Sequence, residues 1–163
     1  MSELFSLEDI EVSFLDFTIL SDINIDFPAA KASFIIGKAG SGKSTLLKTL
    51  AGLMLPERGR VLYNGRDIAK FTSQEERDFR RDCAFGFQDA ALWANQSVYN
   101  NIALPISLHR RGLAKAEVQR RVQEVALRAG YTDVLHFRPD ALSAGEQKQI
   151  SFARALVLDP KVL

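Results

Sequence analysis

The segment Gly37-Lys38-Ala39-Gly40-Ser41-Gly42-Lys43-Ser44-Thr45 constrains this chain more than any other. Its glycines can take backbone conformations closed to other residues, and they leave a concave turn unfilled by side chains. Consecutive backbone N–H groups can therefore face one anion. The spacing fits G-x-x-x-x-G-K-[ST], where the lysine reaches the β- and γ-phosphates of a nucleotide and the next hydroxyl meets Mg²⁺. The context agrees. Residues 33–36 (SFII) form an apolar run that predicts a strand buried on both faces. Residues 41–53 predict a helix, with Leu46, Leu47, Leu50 and Leu53 on one side and Gly52 and Pro56 marking its end. A helix start at Ser41–Gly42 adds a positive dipole end to the anion site. The residues imply a loop for the phosphates of ATP, with Lys43 on the phosphates and Ser44 on the metal.

The rest of the chain supplies an α/β frame. Residues 6–14 read as a strand, and residues 19–27 (ILSDINIDF) alternate apolar and polar like a half-buried strand. A short strand at 60–63 leads into the Asn64-Gly65 turn. Ser73-Gln74-Glu75-Glu76 reads as a capping box opening an exposed helix through Arg81. Residues 83–87 predict another buried strand, with Cys83 as a buried, inert thiol. From 89 to 139 helical periodicity takes over, with Val118, Val122, Val125 and Ala129 on one face. Residues 143–156 form a further helix, stopped by Asp159-Pro160. With 163 residues, one domain is expected.

Charge excludes some partners. The 21 basic and 20 acidic side chains give a net +1, so nothing pulls the chain as a whole toward nucleic acid, and none is expected as a partner. One cysteine cannot form an internal disulfide. The N-terminal residues do not resemble a secretory signal, and no apolar stretch is long enough to span a membrane. The expected location is cytoplasmic.

A second motif separates the nucleotide-binding classes. Leu142-Ser143-Ala144-Gly145-Glu146-Gln147 resembles the LSGGQ signature of ABC ATPases, and Phe152-Ala153-Arg154-Ala155-Leu156 before Asp159-Pro160 resembles that family's signature helix. Gln88 is similar to the Q-loop glutamine, Phe14 to the aromatic that stacks on adenine, and Gly65 to a turn of the β-subdomain. The likeness covers essentially the whole chain. It implies a P-loop NTPase, RecA-like α/β core with an N-terminal antiparallel β-subdomain and a helical signature subdomain, incomplete at the C-terminus. The implied division is 1–88 for β-subdomain and P-loop core, 89–140 for the helical subdomain, and 141–163 for the signature helix and return to the core.

The resemblance also assigns roles. Gln88 would be catalytic and, with Ser44, would meet Mg²⁺. Residues 37–45 and Phe14 would bind ATP in one chain. Ser143, Gly145 and Glu146 would face ATP held by a second chain, in a head-to-tail homodimer or a pair of nucleotide-binding subunits. Residues 88–104, with Leu92, Trp93, Val98 and Tyr99, match the segment that receives a helix from integral membrane subunits, which would hold the chain on the inner face of the cell membrane. Lys43 and Ser143 lie 100 positions apart, which suits transporter-type domains. Ala144 replaces a glycine, and Glu146 replaces a glutamine whose new charge opposes phosphate unless it turns back to cap its helix. The chain stops before the family's Walker B aspartate, catalytic glutamate and switch histidine; His109 and His136 read as surface or packing residues. Alone it is expected to hydrolyse ATP poorly, and to be marginally stable or to exchange strands between copies. The function implied is the ATP-binding subunit of an ABC transporter, an ATPase when full-length. The alternatives are a non-transport ABC ATPase and a non-hydrolysing ATP-binding module.

Overall fold

The computed structural model describes residues 3–163. It divides into two compact units, the first ending at Glu76 and the second spanning Arg77–Leu163.

The first unit is built on an antiparallel sheet of order β2-β1-β3-β4, from β1 (Glu3–Phe14), β2 (Phe17–Pro28), β3 (Arg58–Tyr63) and β4 (Arg66–Asp67). Alternation sends Leu7, Ile10, Val12 and Val61 inward. Leu46 and Leu50 of helix α1 (Lys43–Leu50) join the same buried set, and α1 packs on β1 and β2. Register places Val12 opposite Leu20 and Leu7 opposite both Ile25 and Val61. A bulge interrupts β1 at Asp9, whose φ is 50°. Asn24 holds it: its Oδ1 accepts from the Asp9 N–H at 2.9 Å, and its Nδ2 donates to Asp9 Oδ1 at 3.1 Å. Gly59 faces the bulge at φ 83°, where a Cβ would lie 2.3 Å from the Glu8 carbonyl oxygen. No other residue fits there. Asn64 and Gly65, at φ 50° and 74°, make the expected turn between β3 and β4.

The second unit is helical. α3 (Val98–His109), α4 (Lys115–Ala129) and α5 (Ala144–Leu156) pack on one another. Apolar residues at helical spacing meet in their core: Val98, Ile102 and Ile106; Val122, Val125 and Ala126; Ile150, Ala153 and Val157. Helix α2 (Ser73–Asp82) carries the boundary between the units.

Several expectations need correction. Residues 33–36 form no strand; Phe34 and Ile36 are 85% and 92% exposed. A strand of this kind is held by ladder partners on both sides, and among the described residues none pairs with it. Residues 83–87 likewise form only one parallel bridge, Cys83 with Val162, and Cys83 is half-buried. Helix α1 begins two residues later than expected, because Gly42 takes a left-handed conformation as its N-cap. The cap of α2 is shifted by one residue. Thr72 N–H donates to Glu75 Oε2 at 2.9 Å, and Glu75 N–H donates back to Thr72 Oγ1 at 3.3 Å, so the reciprocal pair is Thr72–Glu75.

Candidate functional site

The phosphate loop lies between β2 and α1. Gly42, at φ 82°, closes against β2, since a Cβ there would lie 2.9 Å from Leu20 Cδ2 and 3.2 Å from the Ile19 carbonyl oxygen. The loop residues 37–41 are exposed. The Lys43 ammonium folds back over the turn and donates to the carbonyl oxygens of Gly37 at 2.9 Å and Lys38 at 2.6 Å. It approaches Ser41 Oγ at 3.4 Å. Among the described residues no side chain caps the start of α1, and its first turn holds no acidic residue. Helices α3 and α5 recruit a serine oxygen at their starts, Ser97 and Ser143, whereas α4, after Ala114, has no side-chain cap either. The α1 start therefore offers N–H donors, a positive dipole end and an ammonium to whatever enters the loop. A polyanion fits this donor set.

Ser44 is exposed in the first turn of α1. No group of three or more His, Cys, Asp or Glu side chains suited to a metal occurs among the described residues. The oxygen set suits Mg²⁺ only as an ion carried in with phosphate oxygens and water, the habit of that ion.

Phe14 ends β1 opposite Phe17, and both are exposed, at 67% and 75%. Gly42 touches β2 at Ile19 and Leu20. A strand rises about 3.3 Å per residue, so the aromatic pair lies roughly 7–10 Å along β2 from the phosphate loop. Sequence and structure thus bring Phe14 and the loop to the same end of the sheet.

The signature segment starts α5. Ser143 is the N-cap, and its hydroxyl donates to Glu146 Oε2 at 2.6 Å while accepting from the Glu146 N–H at 3.3 Å. The Ser143 N–H donates to the same carboxylate at 2.8 Å. These bonds hold the Glu146 carboxyl below its usual pKa, the Ser143 side chain contributing most and its backbone next. Glu146 thus turns back on its own helix, as its charge demands. Gly145 is open to solvent, and a Cβ there would meet only Ser143 Oγ, at 4.0 Å. Gln147 packs inward, donating to the carbonyl oxygens of Pro139 at 2.8 Å and Leu142 at 3.1 Å.

Gln88 is exposed in the segment between α2 and α3. Of the four residues expected to form a docking surface, the structure presents Trp93, 55% exposed. Val98 is fully buried, and Leu92 and Tyr99 pack against the helical core. Trp93 borders a cavity of about 410 Å³ shared with Arg81, Phe87, Leu108, His109 and Arg154. Burial and the nearby Arg81 charge push His109 below its usual pKa. His136 is exposed.

Two residues that sequence reasoning missed shape this region. Asn101, 1% exposed, accepts from the Trp93 N–H at 2.7 Å and donates to the carbonyl oxygens of Trp93, Gln96 and Ser97. Arg154 donates from α5 to the carbonyl oxygens of Ala90 and Ala91. A polar residue on the apolar stripe Val98, Asn101, Ile102 was the available signal for the first, and the lone charge in Phe152–Leu156 for the second.

Residues 20–163 match the sequence profile of the ABC transporter family. The chain belongs to the ABC transporter ATP-binding family. It is 39% identical over 158 residues to an uncharacterised ABC transporter ATP-binding protein of Sinorhizobium fredii, covering 97% of this chain and 44% of that protein. It is 35% identical to a molybdate/tungstate import ATP-binding protein of Pyrococcus abyssi, covering 88% of this chain and 40% of that one. Among solved structures, a dimeric bacterial ABC transporter cassette superposes with a TM-score of 0.89 at 26% identity, over 96% of this chain and 70% of that cassette. The same cassette in a post-hydrolysis state, bound to ADP and Pi, superposes with a TM-score of 0.86. The ABC cassette architecture, a P-loop NTPase with an antiparallel sheet and helices, is therefore the fold of this chain, which covers its N-terminal part. The chain spans less than half the length of the Sinorhizobium and Pyrococcus relatives. No helix among the described residues is long and apolar enough to cross a membrane.

Proposed function

We propose that this chain is the N-terminal part of an ABC transporter's ATP-binding subunit, which binds MgATP at residues 37–45 and couples it to transport through separate membrane subunits. The observation that carries the reading is the uncapped start of α1 behind an exposed glycine loop, with Lys43 parked on the loop's own carbonyls. An arriving triphosphate would draw the ammonium off those carbonyls and accept from the loop N–H groups. Ser44 would hold Mg²⁺ beside the phosphates, with Gln88 as its second protein ligand and the residue that orients water. Mg²⁺ would supply neutralisation of charge on the phosphate oxygens. Phe14 would stack on the adenine.

The second half of the site would come from another chain. Ser143, Gly145 and Glu146 sit at an exposed helix start, where Gly145 leaves backbone accessible to a partner's nucleotide. The dimeric cassette among the structural relatives supports pairing of two chains, which would be head-to-tail to bring Ser143 of one to the loop of the other. The cavity beside Trp93, with Arg81, His109 and Arg154 on its wall, suits a short helix of a membrane subunit bearing an acidic side chain. That contact would hold the chain on the cytoplasmic face of the membrane. The test is equilibrium binding of a fluorescent ATP analogue with and without Mg²⁺. Lys43→Ala is expected to weaken binding about tenfold or more, the loss of one charge-assisted contact. Unchanged affinity in that variant refutes the site.

A further inference from the structure

The loop that follows Gln88 is held by a residue far away in sequence. Ala90 and Ala91 are consecutive alanines in the left-handed region, at φ 63° and 45°. L-residues adopt this region at an energetic cost and stay there only when their surroundings over-determine it. Arg154 of α5 does so. Its Nη1 donates to the Ala91 carbonyl oxygen at 2.7 Å, and its Nη2 donates to the Ala90 carbonyl oxygen at 2.8 Å and to Ser151 Oγ at 3.3 Å. Ala90 is 2% exposed. Among the described residues Arg154 has no carboxylate partner, and burial lowers its pKa. A half-buried guanidinium spent on two backbone carbonyls is a costly way to fasten a loop that only had to be packed. Three residues on, Asn101 of α3 pins the segment again through Trp93, Gln96 and Ser97. The loop is thus fixed from 90 onward by two helices, and the nearer clamp lies directly after Gln88 and Asp89.

We propose that Arg154 is a positioning residue for Gln88: by gripping the strained Ala90-Ala91 turn it ties the Gln88 loop to α5, so that the loop and the signature segment at the start of α5 move as one body. This rests on the role given to Gln88 and Ser143 above. It adds a rigid connection, within one chain, between the residue that meets Mg²⁺ and the segment that meets a partner's nucleotide.

The test is a double-mutant cycle on the full chain, reading ATP affinity in Mg²⁺ and in EDTA. Gln88→Ala and Arg154→Ala are each expected to cut the Mg²⁺-dependent gain in affinity about fivefold and to leave metal-free affinity within about twofold. The double variant should be no weaker than Gln88→Ala, and Arg154→Lys, with one point charge in place of a fork, should recover part of the gain. Multiplicative losses, or an equal loss of metal-free affinity in Arg154→Ala, overturn the proposal. A second reading needs no nucleotide. Trp93 is the only tryptophan and lies two residues beyond Ala91, so its emission reports the loop. Arg154→Lys should shift that emission while leaving far-UV dichroism unchanged; an unaltered spectrum sinks the proposed grip. Should the unmutated chain bind no ATP, the proposed function fails, and the Trp93 spectra still decide whether Arg154 sets the loop.

Discussion

Glycine, serine and arginine act here through geometry that their identity only hints at. The glycine loop at 37–45 is the clearest case of a local geometry visible in advance. Among the described residues Lys43 donates only to its own loop, to the Gly37 and Lys38 carbonyls and to Ser41 Oγ, and under the proposed function it would leave them for an arriving anion. Glu146 was legible too. Its charge opposes a partner's phosphate unless it turns back to cap its helix, and it does turn back, accepting a hydrogen bond from the Ser143 hydroxyl at 2.6 Å. That bond must break before Ser143 can donate to a nucleotide. Glu146→Gln, which removes the charge, is expected to tighten ATP-dependent association of two chains about threefold to tenfold. Sedimentation velocity with a non-hydrolysable ATP analogue checks this, and weaker association in the variant would contradict it. Asn101 is a residue that structure alone explains. Truncation to Ala removes the side-chain partner of the Trp93 N–H and the Gln96 carbonyl, while the Trp93 and Ser97 carbonyls keep a backbone N–H, at a cost of about 2 kcal/mol in urea unfolding. A variant within experimental error of the parent would show that water satisfies those groups instead.

Helix ends and surface ladders decide much at the next scale. Helix α2 owes its start to the reciprocal Thr72–Glu75 pair, so Thr72→Ala should cost about 1 kcal/mol, read from thermal unfolding, whereas Ser73→Ala should be close to neutral. Helix α4 is covered by a ladder in which Glu117 pairs with Arg120 and Arg121, and Glu124 with Arg120 and Arg128. Hydrogen bonds from Arg120 and then Arg121 lower the Glu117 pKa from 4.5 to about 2. A depressed carboxylate stabilises the folded state fully above its unfolded pKa. Its contribution is lost as pH falls from 4.5 toward 2. Thermal unfolding of Glu117→Gln should therefore converge with that of the parent over that window and lie below it at neutral pH. High salt should narrow the gap, since the pairs are exposed. Equal curves at neutral pH would mean that the ladder contributes nothing. In the sheet, Gly59 answers the Asp9 bulge, and that need was legible neither from strand alternation nor from the isolated glycine between two arginines.

Across the whole molecule, apolar surface is left open where the sequence demands burial. Phe34 and Ile36 stand exposed just before the phosphate loop. Exposed pairs of this kind bind hydrophobic dyes and promote association. Phe34→Ser with Ile36→Thr should lower dye binding and aggregation without lowering the unfolding midpoint; a lower midpoint would mean that both side chains are packed in solution. The same segment marks the limit of what local pattern can say. The amino-acid sequence by itself determined the phosphate loop, the strands of the first sheet, the helices of the second unit and the family, because each is written in short-range signals: glycine spacing, period-two alternation, period-3.6 stripes and the signature at 142–147. Tertiary structure alone decided that 33–36 and 83–87 are not laddered, that Val98 faces the core, and that Asn101 and Arg154 pin the loop after Gln88. A strand exists only when another backbone accepts its hydrogen bonds, and a buried polar side chain acquires its role from carbonyls that the chain brings to it from eight or sixty-four residues away.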